Sequence, residues 1–172
     1  MTAGIQNIVD VNPFLHWLQD TTIATAIREN DILFPWIETV HVTAIVLVVG
    51  SISIVDLRLL GLASCDRPTQ QLMREILPLT WGAFAVAAGA GALLFSSKAV
   101  DYAHNFFFQG KMILLLLAAT NMAVFHVVTG RDVTRWSDLR QPPMSAKIAG
   151  SISLILWITV VAFGRWIGFT SH

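Results

Sequence analysis

The chain has 172 residues, of which 55% are hydrophobic and 13% are charged, and its mean hydropathy is +0.64. Soluble domains carry about 25% charged residues, so this composition excludes an ordinary soluble enzyme domain and indicates a membrane protein. The eleven basic and eleven acidic residues cancel, which excludes a nucleic-acid partner, and Cys65 is the single cysteine, which excludes a disulfide scaffold.

The first predicted element is a surface helix over residues 13–28. Asn12 followed by Pro13 is typical of a helix cap and a first-turn proline. Apolar residues such as Phe14, Trp17 and Ile27 form one face of this segment. The pattern predicts an amphipathic helix on the membrane surface or over the mouth of the bundle. Residues 1–12 lack a basic start and a long apolar core, so no cleavable signal peptide is predicted.

Four long uncharged stretches follow. A membrane-spanning helix needs about 20 apolar residues at 1.5 Å each, and backbone groups in lipid must be satisfied within the segment. The sequence therefore predicts an all-α integral membrane four-helix bundle, in a single domain over residues 1–172. The spans are predicted near residues 33–60, 76–97, 106–129 and 146–169, with Pro78 in the first turn of the second span.

Basic residues predict the orientation. The loops after the first and third spans carry seven of the eleven, and the other side carries four. Because cytoplasmic loops are enriched in Lys and Arg, both termini are expected outside a bacterial inner (plasma) membrane.

Ionisable side chains within spans are costly and mark functional sites by default. Near the outer surface, Glu38 and His41 share a face of the first span, Lys111 lies on the third and Arg165 on the fourth. We expect these four to converge, with one positive charge left for an anionic group. His104 lies just above. A deeper layer contains Asp56, Asn121 and His126.

These residues suggest a b-type haem, with four helices as its host. His41 and His126 differ in depth by about 18 Å, which excludes them as a pair on one iron. His41 with His104, or with His16, remains as the iron-ligand pair, and Lys111 and Arg165 would hold the propionates. The alternative is a structural salt-bridge cluster with His41 hydrogen-bonded inside it. For His126, a hydrogen bond to Asp56, Asn121 or a carbonyl is expected.

Three segments carry a resemblance: Leu33–Val42 (LFPWIETVHV), Asp56–Gly61 (DLRLLG) and Phe108–His126, which begins FQGKM. They resemble an uncharacterised family of small bacterial four-helix inner-membrane proteins over residues 12–169. The resemblance implies the four-span layout and draws attention to the residues Glu38, His41, Asp56, Arg58, Lys111, Asn121 and His126. It implies no activity.

Three functions stay open. The chain is expected to be a haem-binding electron-transfer or anchor subunit in the lipid bilayer, with a membrane dehydrogenase or oxidase as redox partner. It is otherwise a non-redox accessory subunit of a membrane complex, or a small transporter or proton-path protein. The sequence contains no Gly-rich phosphate loop and no CxxC, HExxH or GxSxG pattern, so no catalytic motif is found.

Overall fold

The computed structural model describes residues 13–129, 133–137 and 141–170, and these residues form helices and no strand. The helices are α1 (Pro13–Gln19), α2 (Thr22–Glu29), α3 (Leu33–Leu60), α4 (Thr69–Ser97), α5 (Ala99–His104), α6 (Phe106–Val124), α7 (Val133–Trp136) and α8 (Met144–Thr170). A π-helical turn, Phe125–Thr129, continues α6.

Four of these helices, α3, α4, α8 and α6 with its π-helical turn, are long and apolar enough to cross a membrane. The shortest, over residues 106–128, has 23 residues, and at 1.5 Å per residue it exceeds the roughly 30 Å of bilayer hydrocarbon. The predicted all-α membrane fold with four spans is confirmed. We call the end that carries α1, α2 and α5 the outer end of the bundle, and the opposite end the inner end.

The second span begins earlier than predicted. Helix α4 starts at Thr69, because a polar first segment with Gln70, Gln71 and Arg74 precedes the apolar stretch that the charge count detected. Pro78 consequently lies inside the helix and not in its first turn. A proline leaves the carbonyl four residues earlier without its helical donor. That carbonyl belongs to Arg74, an exposed residue whose backbone can be hydrated near the inner surface.

The N-terminal segment forms two short helices where one was predicted. The chain breaks at Asp20–Thr21, and the Thr21 hydroxyl accepts a hydrogen bond from the Ala24 amide, which caps α2. Arg28 then donates to the carbonyls of Gln19 and Ser97, at 3.1 and 3.3 Å. These bonds fasten the surface helices to the outer end of α4. Asn12, the predicted cap of the first helix, lies outside the described residues.

The four long helices pack in the order α4–α3–α8–α6, each against the next. Helices α4 and α6, at the two ends of this order, meet through the stacked rings of Phe95 and Phe108, whose centroids are 5.2 Å apart. The inner end has a small core of Leu59, Phe125, Trp136 and Ala146. Helices α4 and α6 are therefore linked near the outer end by the stacked rings, and at the inner end through this core, against which Met73 of α4 packs.

Two loops are joined at the inner end by Arg58 and Ser137. The fully buried Arg58 side chain donates from Nε to the Arg67 carbonyl (3.0 Å) and from a terminal nitrogen to the Ser137 carbonyl (3.3 Å). Ser137 also accepts two hydrogen bonds from the start of α4. Its carbonyl oxygen accepts from the amide of Thr69, and its hydroxyl oxygen accepts from the amide of Gln70. Ser137 thus caps the first turn of α4 from a distant part of the chain, since helix N-termini need external acceptors.

Candidate functional site

His41 is held in one orientation within the outer half of the bundle. Its Nδ1 atom lies 2.8 Å from the carbonyl oxygen of Ala87 on α4. A carbonyl only accepts hydrogen bonds, so Nδ1 carries the proton. A neutral ring in this tautomer has a free lone pair on Nε2, which makes Nε2 the nitrogen that can bind a metal or accept a proton.

Gly91 provides the space for this ring. A Cβ atom at residue 91 would lie 2.9 Å from Cε1 and 3.3 Å from Nδ1 of His41. Contacts this short do not occur between real side chains, so any larger residue would displace the imidazole or separate α3 from α4. Gly91 lies one helical turn after Ala87, and the two residues together fix the ring.

Lys111 approaches the same level from α6. Its aliphatic chain crosses α8 at Gly164, where a Cβ atom would lie 3.6 Å from the lysine Nζ. The side chain is half-buried and lies within electrostatic range of His41. In the described part of the chain, its ammonium group makes no ion pair with a carboxylate. A cation in this position favours an anionic ligand.

Glu38 lies one turn above His41 on α3 and is exposed. It is within electrostatic range of the His41 ring and of Tyr102 on α5. Burial, followed by the negative charges of Glu38 and Asp101, raises the pKa of the Tyr102 phenol. No ion pair joins Glu38 to Lys111 within residues 13–129, so the salt-bridge cluster suggested by the sequence is not formed there.

Arg165 and His104, both predicted to lie near His41 at the outer surface, have other partners in the structure. The Arg165 guanidinium lies over the ring of Phe169, 4.9 Å from its centroid, and the side chain is exposed. His104 is exposed on α5, and its Nδ1 atom lies 2.9 Å from the carbonyl of Val100 in the same helix. His16 is exposed on α1. Lys111 and Glu38 each lie within electrostatic range of His41, and we call these three residues the outer cluster.

The three residues of the deeper layer, Asp56, Asn121 and His126, also have separate partners. Asp56 is buried against α8, where a Cβ on Gly150 would lie 3.1 Å from the Asp56 carbonyl oxygen. Asn121 donates to the carbonyl of Ala149, also on α8, at 3.1 Å. His126 is exposed, and its Nδ1 atom lies 2.9 Å from the Met122 carbonyl. The sequence suggested a hydrogen bond from His126 to Asp56, Asn121 or a carbonyl, and the structure shows the carbonyl.

The chain matches one known protein family. A family model of unknown function, DUF6644, matches residues 15–170, which is nearly the whole sequence. The chain belongs to DUF6644. This membership agrees with the resemblance to an uncharacterised family. No curated protein and no solved structure matches the chain.

Within this DUF6644 chain, sequence reasoning missed the residues that shape the site. Ala87, Gly91 and Gly164 have no ionisable group, and Tyr102 lies in a short helix that was not predicted. Counting residues from the outer ends of the helices could have found Gly91. It lies six residues before the end of α4, and His41 lies eight residues after the start of α3. Two antiparallel helices place these positions at similar depth.

The described residues contain no group of three or more His, Cys, Asp and Glu side chains that could hold a metal ion directly. A haem differs from a bare ion, because the porphyrin supplies four nitrogen ligands and the protein supplies one or two. The outer cluster offers one suitable nitrogen, Nε2 of His41. It also offers the positive charge of Lys111 for an acidic substituent.

Proposed function

We propose that the chain is a membrane subunit that binds one b-type haem at the outer cluster, where Nε2 of His41 would bind the iron. The observation that supports this is the hydrogen bond from His41 Nδ1 to the Ala87 carbonyl. Metal-binding histidines usually donate their other ring nitrogen to a carbonyl or carboxylate, which fixes the tautomer and the orientation of the ring. His41 has this arrangement, with Gly91 accommodating the ring.

Lys111 supports the proposal through charge. A haem propionate is an anion, and a half-buried ammonium group without a carboxylate partner in the described chain would pair with it. His104 stays the second ligand that the sequence suggested, but it is exposed and its Nδ1 bonds to its own helix, so its ring would have to turn toward His41 to reach the same iron. Arg165 remains a second candidate for a propionate only if its side chain leaves Phe169.

When bound, the haem would supply one-electron chemistry. The contribution of this chain is to orient the His41 imidazole, to balance the charge of the propionates with Lys111, and to place the group near the outer end. Such a subunit would transfer electrons for, or anchor, a dehydrogenase or oxidase in the membrane.

The location that we propose is a bacterial inner membrane with both termini outside. The inner end carries the excess of basic residues, including Arg58 in the last turn of α3, Arg67 in the loop that follows and Arg74 near the start of α4. Basic loops are retained in the cytoplasm. The outer cluster would then face the periplasm or the cell exterior.

A visible spectrum tests the haem proposal directly. The chain, purified in mild detergent from haem-replete cells, should be red and show a redox-sensitive spectrum with about one haem per chain. A colourless protein that also binds no added haem would contradict the proposal. The non-redox accessory subunit and the small transporter would then be the remaining alternatives.

A further inference from the structure

The haem proposal leaves unexplained a carboxyl group near the inner end of α3. Asp56 lies four residues before the end of the helix, about 6 Å along its axis. Its side chain is buried, with 4% of the residue exposed, and its Oδ2 atom has no hydrogen-bond partner in the described chain. The hydroxyl of Ser153 lies beside the carboxyl, and Gly150 allows the α8 backbone to press against Asp56.

The basic groups in this region are occupied elsewhere. Arg58 directs its guanidinium to the carbonyls of Arg67 and Ser137. His126 is exposed and bonds to its own helix. Lys147, one turn before Gly150 on α8, is half-buried and makes no ion pair with Asp56.

The remaining surroundings of Asp56 are apolar. The small core at the inner end lies next to it, with Leu59 one turn away on α3 and Met73 packed against that core from α4. Asn121 of α6 is engaged with the Ala149 carbonyl. No cation in the described residues therefore balances a negative charge on Asp56.

An ionised carboxylate that is buried without a cation costs several kcal/mol, and the usual outcome is that it takes up a proton. We infer that Asp56 and Ser153 form a proton-binding site near the inner end of the bundle, in which the carboxyl is protonated at neutral pH. Binding one proton converts the carboxylate to a carboxylic acid, which can exchange hydrogen bonds with the Ser153 hydroxyl. The site is separate from the outer cluster and does not depend on haem.

Infrared difference spectroscopy in nanodiscs at pH 7 tests this inference. Wild-type protein should show the carbonyl-stretch band of one protonated carboxylic acid. The band should disappear in Asp56→Asn and persist in Asp101→Asn, which alters an exposed aspartate on α5. Absence of the band in wild type, or its persistence in Asp56→Asn, would overturn the inference.

Isotope labelling keeps the test valid if Asp56→Asn does not fold. Wild-type protein grown with carboxyl-labelled aspartate should show the same band shifted to lower frequency. An unshifted band would assign the proton to a glutamate and contradict the site at Asp56. The Ser153→Ala variant, which lacks the hydroxyl group, should shift the band by removing its hydrogen-bond partner, and an unchanged band would contradict the role of Ser153.

Discussion

The imidazole of His41 lies directly over Gly91, so closely that a single methyl group on Gly91 would come within 2.9 Å of Cε1. This contact joins α3 to α4 and, together with the Ala87 carbonyl, decides which ring nitrogen is available. The site depends on a residue that has no chemical group of its own.

Gly91→Ala should therefore destabilise the protein, by about 1–3 kcal/mol, because it overpacks the contact with His41. The matched control is Gly89→Ala on the same helix, where an added Cβ meets nothing within 4 Å. That control should be neutral or stabilising by up to about 1 kcal/mol, since alanine is the better helix former. Unfolding in a detergent and sodium dodecyl sulfate mixture measures both, and equal midpoints for the two variants would argue against the contact.

Arg58→Ala should cost on the order of 2 kcal/mol or more, because it removes buried, charge-assisted hydrogen bonds to two loops. Arg67→Ala is the control: its side chain forms an exposed pair with Glu75 at 3.5 Å, a type worth about 0–1 kcal/mol. The Arg67 carbonyl that Arg58 uses remains in that variant. The same unfolding assay should rank the two variants clearly, and a larger loss for Arg67→Ala would contradict the buried role of Arg58.

The extent to which sequence predicted this fold differs between helices. Helix α3 has the predicted bounds, because an uncharged stretch meets a strong stop at Gly61, which takes φ 74° in the left-handed region. The start of α4 was missed because its first turns are polar. The break at Asp20–Thr21 depends on a local cap that competes with a continuous helix.

The rotation of each helix was much harder to predict. Counting residues placed His41 and Lys111 at similar depths, but α3 and α6 are apolar on all sides and give no amphipathic face to orient them. Arg165 and His126 consequently point outward although their depth suggested inward positions. The haem ligand set remains a prediction for the same reason, since it depends on directions that depth does not determine.

Tyr102 should titrate above the usual tyrosine range of about 10, because burial and the charge of Glu38 raise its pKa. It is the single tyrosine of the chain, so tyrosinate absorbance reports it alone. Glu38→Gln should lower the titration midpoint, and Glu29→Gln on α2 should leave it unchanged. A midpoint that does not respond to Glu38→Gln would show that the two residues are further apart than the structure places them.

The raised pKa of Tyr102 also makes the stability of the fold depend on pH. The folded chain holds the phenolic proton more tightly than the unfolded chain does, so this contribution is complete below a pH of about 10 and is lost as the pH rises through the raised pKa. Tyr102→Phe should therefore lose less stability at alkaline pH than wild type, as measured by thermal unfolding. An equal alkaline loss in the two proteins would contradict this assignment.

Orientation in the membrane can be tested with two exposed aspartates in a Cys65→Ser background. Asp101→Cys on α5 should react with a membrane-impermeant maleimide on intact cells, or on spheroplasts where an outer membrane is present. Asp66→Cys, in the loop between α3 and α4, should react only after lysis, because the basic loops are expected in the cytoplasm. The reverse labelling pattern would invert the proposed topology.

The visible spectrum of His41→Ala tests the central claim most directly. The account predicts that wild type and His126→Ala both show a reduced-minus-oxidised b-type spectrum, since His126 is exposed and bonds to its own helix. His41→Ala should insert in the membrane at a comparable level and lose that spectrum. A His41→Ala protein that keeps the wild-type spectrum, or a wild type that has none, would contradict the account.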